Sequence, residues 1–211
     1  MKNNLLPIAK EGWQYIAYSV FAIVIFSSLG FGFLEFLSLF ITAFFIYVYR
    51  NPERESLVYE KNSVVSPVDG SVISIDEINE ANNYSYKLTI NSNYFDVSLL
   101  RSPLSSNISS IKKQYGSRLS SYSSLSQKIN EQTELIFEDD NENVLKVEHI
   151  INQSFAPIDI NIIKKQKLLQ GSRYGVMLSG KTVLYLPQNF RINVSIGDQV
   201  KASQSLIGYF S

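Results

Sequence analysis

The 211-residue chain has no cysteine and one histidine, His149. The first absence excludes disulfides, thiolate nucleophiles and cysteine-bound metals, and it leaves the redox compartment undetermined. The second excludes any mechanism that draws two imidazoles from one chain. A surplus of charge is missing too. The 19 Lys and Arg balance 19 Asp and Glu, so no global field favours nucleic acid or an acidic substrate. Between Trp13 and Tyr49 charge itself is scarce, with Glu35 the single ionised residue.

That apolar stretch is too long for one membrane crossing of about 20 residues and suits two short ones. Gly30 and Gly32 bracket Phe31 and offer a break, because glycine is costly inside a helix and tolerant in a turn. The pattern predicts a transmembrane hairpin, with helices near Trp13–Leu29 and Leu34–Tyr49 and Glu35 at the turn. Lys2 and Lys10 precede it and Arg50 and Arg54 follow it, which places both termini on the cytoplasmic side of an inner membrane. Trp13, Tyr15, Tyr47 and Tyr49 then fall at that interface. Residues 1–50 form the anchor in this reading, and residues 51–211 the cytoplasmic domain.

Beyond Asn51 short β-branched or alternating runs recur, among them Ser63–Ser66, Gly70–Ile75, Tyr86–Ile90, Phe95–Leu100 and Glu134–Phe137. Val144–Ile151, Ile158–Ile163, Thr182–Leu186 and Arg191–Val194 continue the series. Turn-formers such as Asp69-Gly70 and Gly197-Asp198 separate them, so the domain reads as mainly β. The serine-rich segment Ser105–Gln127 reads as a loop with at most a short helix. A Pro67-Val68-Asp69-Gly70 turn near the start and a Gly197-Asp198-Gln199-Val200 turn near the end resemble the paired elements of lipoyl-type barrel-sandwich hybrids.

Taken in order, further motifs resemble the short, membrane-anchored phosphatidylserine decarboxylases. They are Ala9-Lys10-Glu11-Gly12-Trp13, Tyr49-Arg50-Asn51-Pro52-Glu53-Arg54 and Val65-Ser66-Pro67-Val68-Asp69-Gly70, then Tyr94-Phe95-Asp96-Val97 and Arg101-Ser102-Pro103. Asn130-Glu131, Gly171-Ser172-Arg173-Tyr174-Gly175 and Tyr185-Leu186-Pro187 follow, and order and spacing hold over nearly the whole chain. The resemblance implies a serine in a Gly-Ser pair that attacks its own preceding carbonyl, splits the chain and becomes a pyruvoyl group. That group then forms a Schiff base with the substrate amine and acts as an electron sink. A histidine oriented by an aspartate would activate the serine.

Asp69 matches the aspartate, although Asp-Gly also favours a tight turn in any β protein. Ser98 stands where the resemblance places the histidine. Counting forward from Gly175 puts Gly180-Lys181 where Gly-Ser belongs, and counting back from Tyr185 puts Ser179-Gly180 there. Neither register has serine second. Gly171-Ser172 lies too far upstream, Ser179 would lack its base, and His149 shares strand parity with apolar neighbours. Lys112, Lys113 and Arg118 could meet lipid headgroups or form a solvated face.

The sequence therefore predicts a catalytically silent membrane protein of phospholipid metabolism, with lipid binding or regulation as its role. Membrane phospholipid and a homo-oligomer, or a hetero-oligomer with an active decarboxylase, are the expected partners. No nucleic acid, metal or cofactor is expected. A self-derived pyruvoyl would be present only in the rival reading, a divergent working decarboxylase.

Overall fold

The structure, a computed structural model, describes residues 6–54, 62–78, 84–120 and 125–211. It divides into two compact units, Met1–Glu53 and Arg54–Ser211.

In the first unit a 3-10 turn, Lys10–Gly12, leads into α1 (Trp13–Ser28), and α2 (Gly32–Val48) returns. Gly30 adopts φ +75° just past α1. Its N–H bonds the Ser27 carbonyl and that of Phe31 bonds Phe26, so the glycine ends the helix in a Schellman turn. Small polar groups bring the helices together: Thr42 Oγ1 lies 2.9 Å from Ser19 Oγ and 2.8 Å from the Ser38 carbonyl. Phe21, Phe33, Phe36 and Phe40 are exposed on the outside of the pair.

The expected transmembrane hairpin is not what this stretch forms. Its helices have 16 and 17 residues. At about 1.5 Å per residue such helices measure roughly 24–26 Å, short of a hydrocarbon core of about 30 Å. Among the described residues no helix is long and apolar enough to cross a membrane. The turn at Gly30 consumes part of an apolar run that hydropathy counts as a whole. The placement of both termini and the β domain on the cytoplasmic face presupposed two crossings, which these helices do not supply.

The second unit is mainly β. Its first strands are β1 (Ser63–Val65), β2 (Gly70–Glu77), β3 (Tyr84–Ser92), β4 (Leu99–Arg101) and β5 (Ser106–Gln114). After a short helix, α3 (Ser126–Ile129), come β6 (Gln132–Glu138), β7 (Val144–Ile151), β8 (Asp159–Ile160) and β9 (Lys167–Leu168). The chain ends with β10 (Arg173–Val176), β11 (Gly180–Pro187), β12 (Phe190–Ile192), β13 (Gln199–Val200) and β14 (Leu206–Phe210). Instead of two matching sheets, as a barrel-sandwich hybrid would have, these form one eight-stranded sheet and two of three strands. The large sheet runs β13-β2-β3-β11-β7-β6-β5-β9, with every neighbouring pair antiparallel. One of its faces carries Ile90, Leu88, Leu184, Val147 and Leu135 into the main core.

Two local expectations also change. Ser105–Gln127 is not a loop throughout, because β5 occupies nine residues of it. A bulge between Ile108 and Ser110 breaks the period of two that would reveal a strand. Phe95 lies in a turn rather than a strand, because the Asp96 carboxylate accepts the Asn93 N–H at 2.8 Å and Asp96 N–H bonds back to the Asn93 carbonyl.

The register places one end of the large sheet at the last residues of β3 and β7 and the first of β2, β6 and β11. Gly180 pairs with both Ser92 and Ile151, Ser71 with Asn91, and Gln132 with Ile150. Buried Asn130 closes this end. Its Nδ2 donates to the carbonyls of Leu119 (2.9 Å) and Ile151 (2.8 Å), and its Oδ1 accepts Leu119 N–H at 2.9 Å. Asn130→Ala strands those buried groups, and urea unfolding should show a loss of about 2–3 kcal/mol.

Candidate functional site

All five positions singled out in the sequence lie at this sheet end. Asp69 immediately precedes β2 and is buried. Arg54 Nη1 and Nη2 donate to its two carboxylate oxygens at 2.5 and 2.6 Å. Ala202 N–H donates to Oδ1 at 2.8 Å, and Arg54 also reaches the Ala202 carbonyl at 3.0 Å. The turns of Pro67-Val68-Asp69-Gly70 and Gly197-Asp198-Gln199-Val200 thus adjoin, with Val200 paired to Gly70. On the main-chain side, Ser92 Oγ donates to the Asp69 carbonyl at 2.6 Å. Ser92 is in turn the β3 partner of Gly180.

Ser98 is buried just before β4, and its carbonyl accepts the Met177 N–H at 2.9 Å. The turn that begins at Met177 leads to Ser179, half-buried, whose carbonyl accepts Asn152 N–H at 3.0 Å. Gly180 then opens β11. A Cβ added there would lie 2.4 Å from the Ile150 carbonyl oxygen and 2.9 Å from Met177 Sδ. The nearer atom is sheet backbone, which has no room to retreat. Lys181 is half-buried and shares parity with Val183 and Tyr185, members of a second apolar cluster on the opposite face. Gly180 shares parity with Leu184 and Leu186, on the main-core face.

His149 sits opposite Thr182 in the β7–β11 pair and is fully buried, beyond the partial burial suggested by its neighbours in sequence. Both ring nitrogens are engaged, Nδ1 with Thr182 Oγ1 at 2.8 Å and Nε2 with the Tyr174 hydroxyl at 2.7 Å. Burial pushes the imidazole pKa down to about 3 and pushes that of the Tyr174 phenol up. An imidazole so reluctant to take a proton is a poor general base, and neither nitrogen is directed at Ser179.

Arg54, Ser92 and Ala202 were not foreseen at this site. Arg54 was visible as a positive flank of the apolar stretch, but nothing local to it signals a carboxylate 15 residues away. Among the described residues no group of three or more His, Cys, Asp or Glu side chains is placed to hold a metal.

Comparison with known proteins bears on what this end of the sheet is. The profile of the phosphatidylserine decarboxylase family matches residues 41–208. A phosphatidylserine decarboxylase proenzyme from Geotalea uraniireducens is 30% identical over 215 residues, covering 99% of each chain. Proteins of the same name from Desulfotalea psychrophila and Geobacter metallireducens are 26% and 29% identical, again with 99% of each chain covered. The chain belongs to the phosphatidylserine decarboxylase family.

Within that family frame, position 98 offers a hydroxyl where the resemblance asks for an imidazole. Positions 180 and 181 offer no side chain and an amine where it asks for a serine. A hydroxyl is no base near neutral pH, and the filled space around Gly180 leaves no room for a side chain. The residues present do not fit a self-derived pyruvoyl group at either register.

Two measurements check the roles assigned here. Asp69→Ala leaves the Arg54 guanidinium, only 9% exposed, without its counter-charge. Urea unfolding should show a loss of about 3–5 kcal/mol, the usual cost of halving a buried pair. His149 gives a pH signature. Its folded pKa lies below the unfolded value of 6.5, so the unfolded chain binds the proton more readily. Its contribution is constant above pH about 6.5 and declines as pH falls toward about 3, by up to roughly 1.4 kcal/mol per unit. Between pH 7 and 5, stability of the parent should fall more steeply than that of His149→Gln.

Proposed function

We propose that this protein is a catalytically silent member of its family, a lipid-associated binding or regulatory protein rather than a working decarboxylase. The observation that carries this reading is the seat of Gly180, where the Ile150 carbonyl occupies the place of a side chain. Two further features support it. Asp69 is engaged by Arg54 and Ala202, and the single histidine is bonded to Thr182 and Tyr174 within the core.

Phospholipid is the expected ligand. The exposed phenylalanines of α1 and α2 suit the apolar boundary of a bilayer without crossing it. Assembly with itself or with an active decarboxylase would give a silent member a regulatory role. The rival reading is a divergent active enzyme that processes itself at Ser179.

Intact-mass measurement of the purified full chain separates the two. A single uncleaved polypeptide is expected. Two fragments meeting near Gly180, the second beginning with a keto acid, would overturn the proposal. The double variant Ser98→His, Gly180→Ser supplies both missing groups and should still remain one chain. Its self-cleavage would show that the scaffold can seat the serine after all.

A further inference from the structure

The loops that surround Ser98 and Ser179 carry side chains that the decarboxylase chemistry does not use. Phe95 is 77% exposed at the tip of a turn that the Asn93–Asp96 hydrogen bonds hold fixed. Beside it, Tyr94 stacks on Phe155 with ring centroids 5.9 Å apart and planes within 6°. The Tyr94 hydroxyl donates to the Gln153 carbonyl at 2.8 Å and accepts the Phe155 N–H at 3.2 Å. The loop after β3 and the loop after β7 are thereby locked together, and Phe155 remains exposed at their junction.

A third loop joins them. Arg118 Nη1 donates to the Phe155 carbonyl at 3.0 Å, which sets a guanidinium beside the two rings. Ser117 N–H bonds the Ile129 carbonyl, so exposed Ile129 belongs to the same surface. Glu131, the acidic partner of Arg118, is itself buried, while Lys128 is exposed. Exposed single hydrophobics are ordinary, but apolar tips gathered on adjoining, hydrogen-bonded loops mark a contact surface.

We propose that this rim of the β unit is a bilayer-contacting surface, in which Phe95, Phe155 and Ile129 enter the interface and Arg118 and Lys128 meet anionic headgroups. Aromatic rings and cations on protruding tips match the two layers of that interface, apolar below and negatively charged above. A bilayer fits better than a protein partner because the apolar groups project from separate loop ends with the cations Arg118 and Lys128 beside them. The end of the sheet with Ser98 and Ser179 would then face lipid. The inference goes beyond the proposed silence of the site, since the rim is built the same way whether or not the chain processes itself.

The test uses the full chain with Trp13→Phe and Phe95→Trp, which leaves one indole at the rim. The protein is reconstituted into vesicles of phosphatidylcholine and phosphatidylglycerol, with or without bromine on the acyl chains of the phosphatidylcholine. Brominated lipid should reduce the emission about twofold or more, as for a side chain seated in the interface, and iodide in the buffer should quench weakly. Strong iodide quenching with no effect of bromine would overturn the proposal. So would an indole shielded from both quenchers, which would place the rim against protein. Neither result bears on intact mass, so failure here is distinct from failure of the inactive reading.

Discussion

Strand β11 is hydrogen-bonded on both sides from its first residue, to β3 and to β7. That double pairing removes any freedom in what positions 180 and 181 can reach. Side chains alternate along a strand, so a change of one residue in the preceding segment sends every later side chain to the other face. In sequence the family's Gly-Ser pair can be aligned to either of two neighbouring pairs. In the sheet the two solutions are physically different. Gly180 holds the core-face position beside Ser92, which bonds Asp69, and Lys181 points to the opposite face. A nucleophile placed at 181 would lie on the face of Val183 and Tyr185, and one placed at 180 would meet the Ile150 carbonyl.

The carboxylate of Asp69 obeys a second constraint. A buried charge is tolerated only when it is paired and hydrogen-bonded. Here a guanidinium fork and a backbone N–H supply that, and no imidazole is needed to stabilise the group. His149 has its own pair of partners in the core, and its depressed pKa follows from that burial. The titratable groups that a self-cleaving site would deploy are each committed to holding the fold.

How much of this could be read beforehand depends on the range of the interaction. Strand β7 was legible to its bounds, because Leu145, Val147 and His149 alternate with Val144, Lys146 and Glu148 without interruption. Strand β5 was hidden by serines and by the bulge after Ile108, and β10 and β14 by Gly175 and Gly208, which carry no side chain to mark a face. The helices were located within a few residues, but hydropathy measures an apolar run and a crossing requires an unbroken helix of sufficient length. At the site, the identities of positions 69, 98, 179, 180 and 181 were plain in sequence. Their partners were not: the bond from Ala202 to Asp69 spans 133 residues, and no local pattern encodes it.

The motifs by which the chain is recognised are largely the ones that tie this sheet end together. Arg101 donates to the Gly171 carbonyl at 3.1 Å and so joins two of them. Asn130 fastens the approach to β6 onto the end of β7. Asp198 caps its own turn by accepting Ser195 N–H at 2.8 Å, and its carbonyl accepts Val72 N–H at the start of β2. Each of these residues would be needed by the fold whether or not a reaction took place, because removing any of them strands buried or paired backbone groups. The departures fall instead at 98 and 179–181, the positions where the resemblance asks for chemistry. Family membership and catalytic competence therefore rest on different residues. The first is written in groups that hold loops to a sheet, and the second in the identity and face of the side chains at 98 and 179–181.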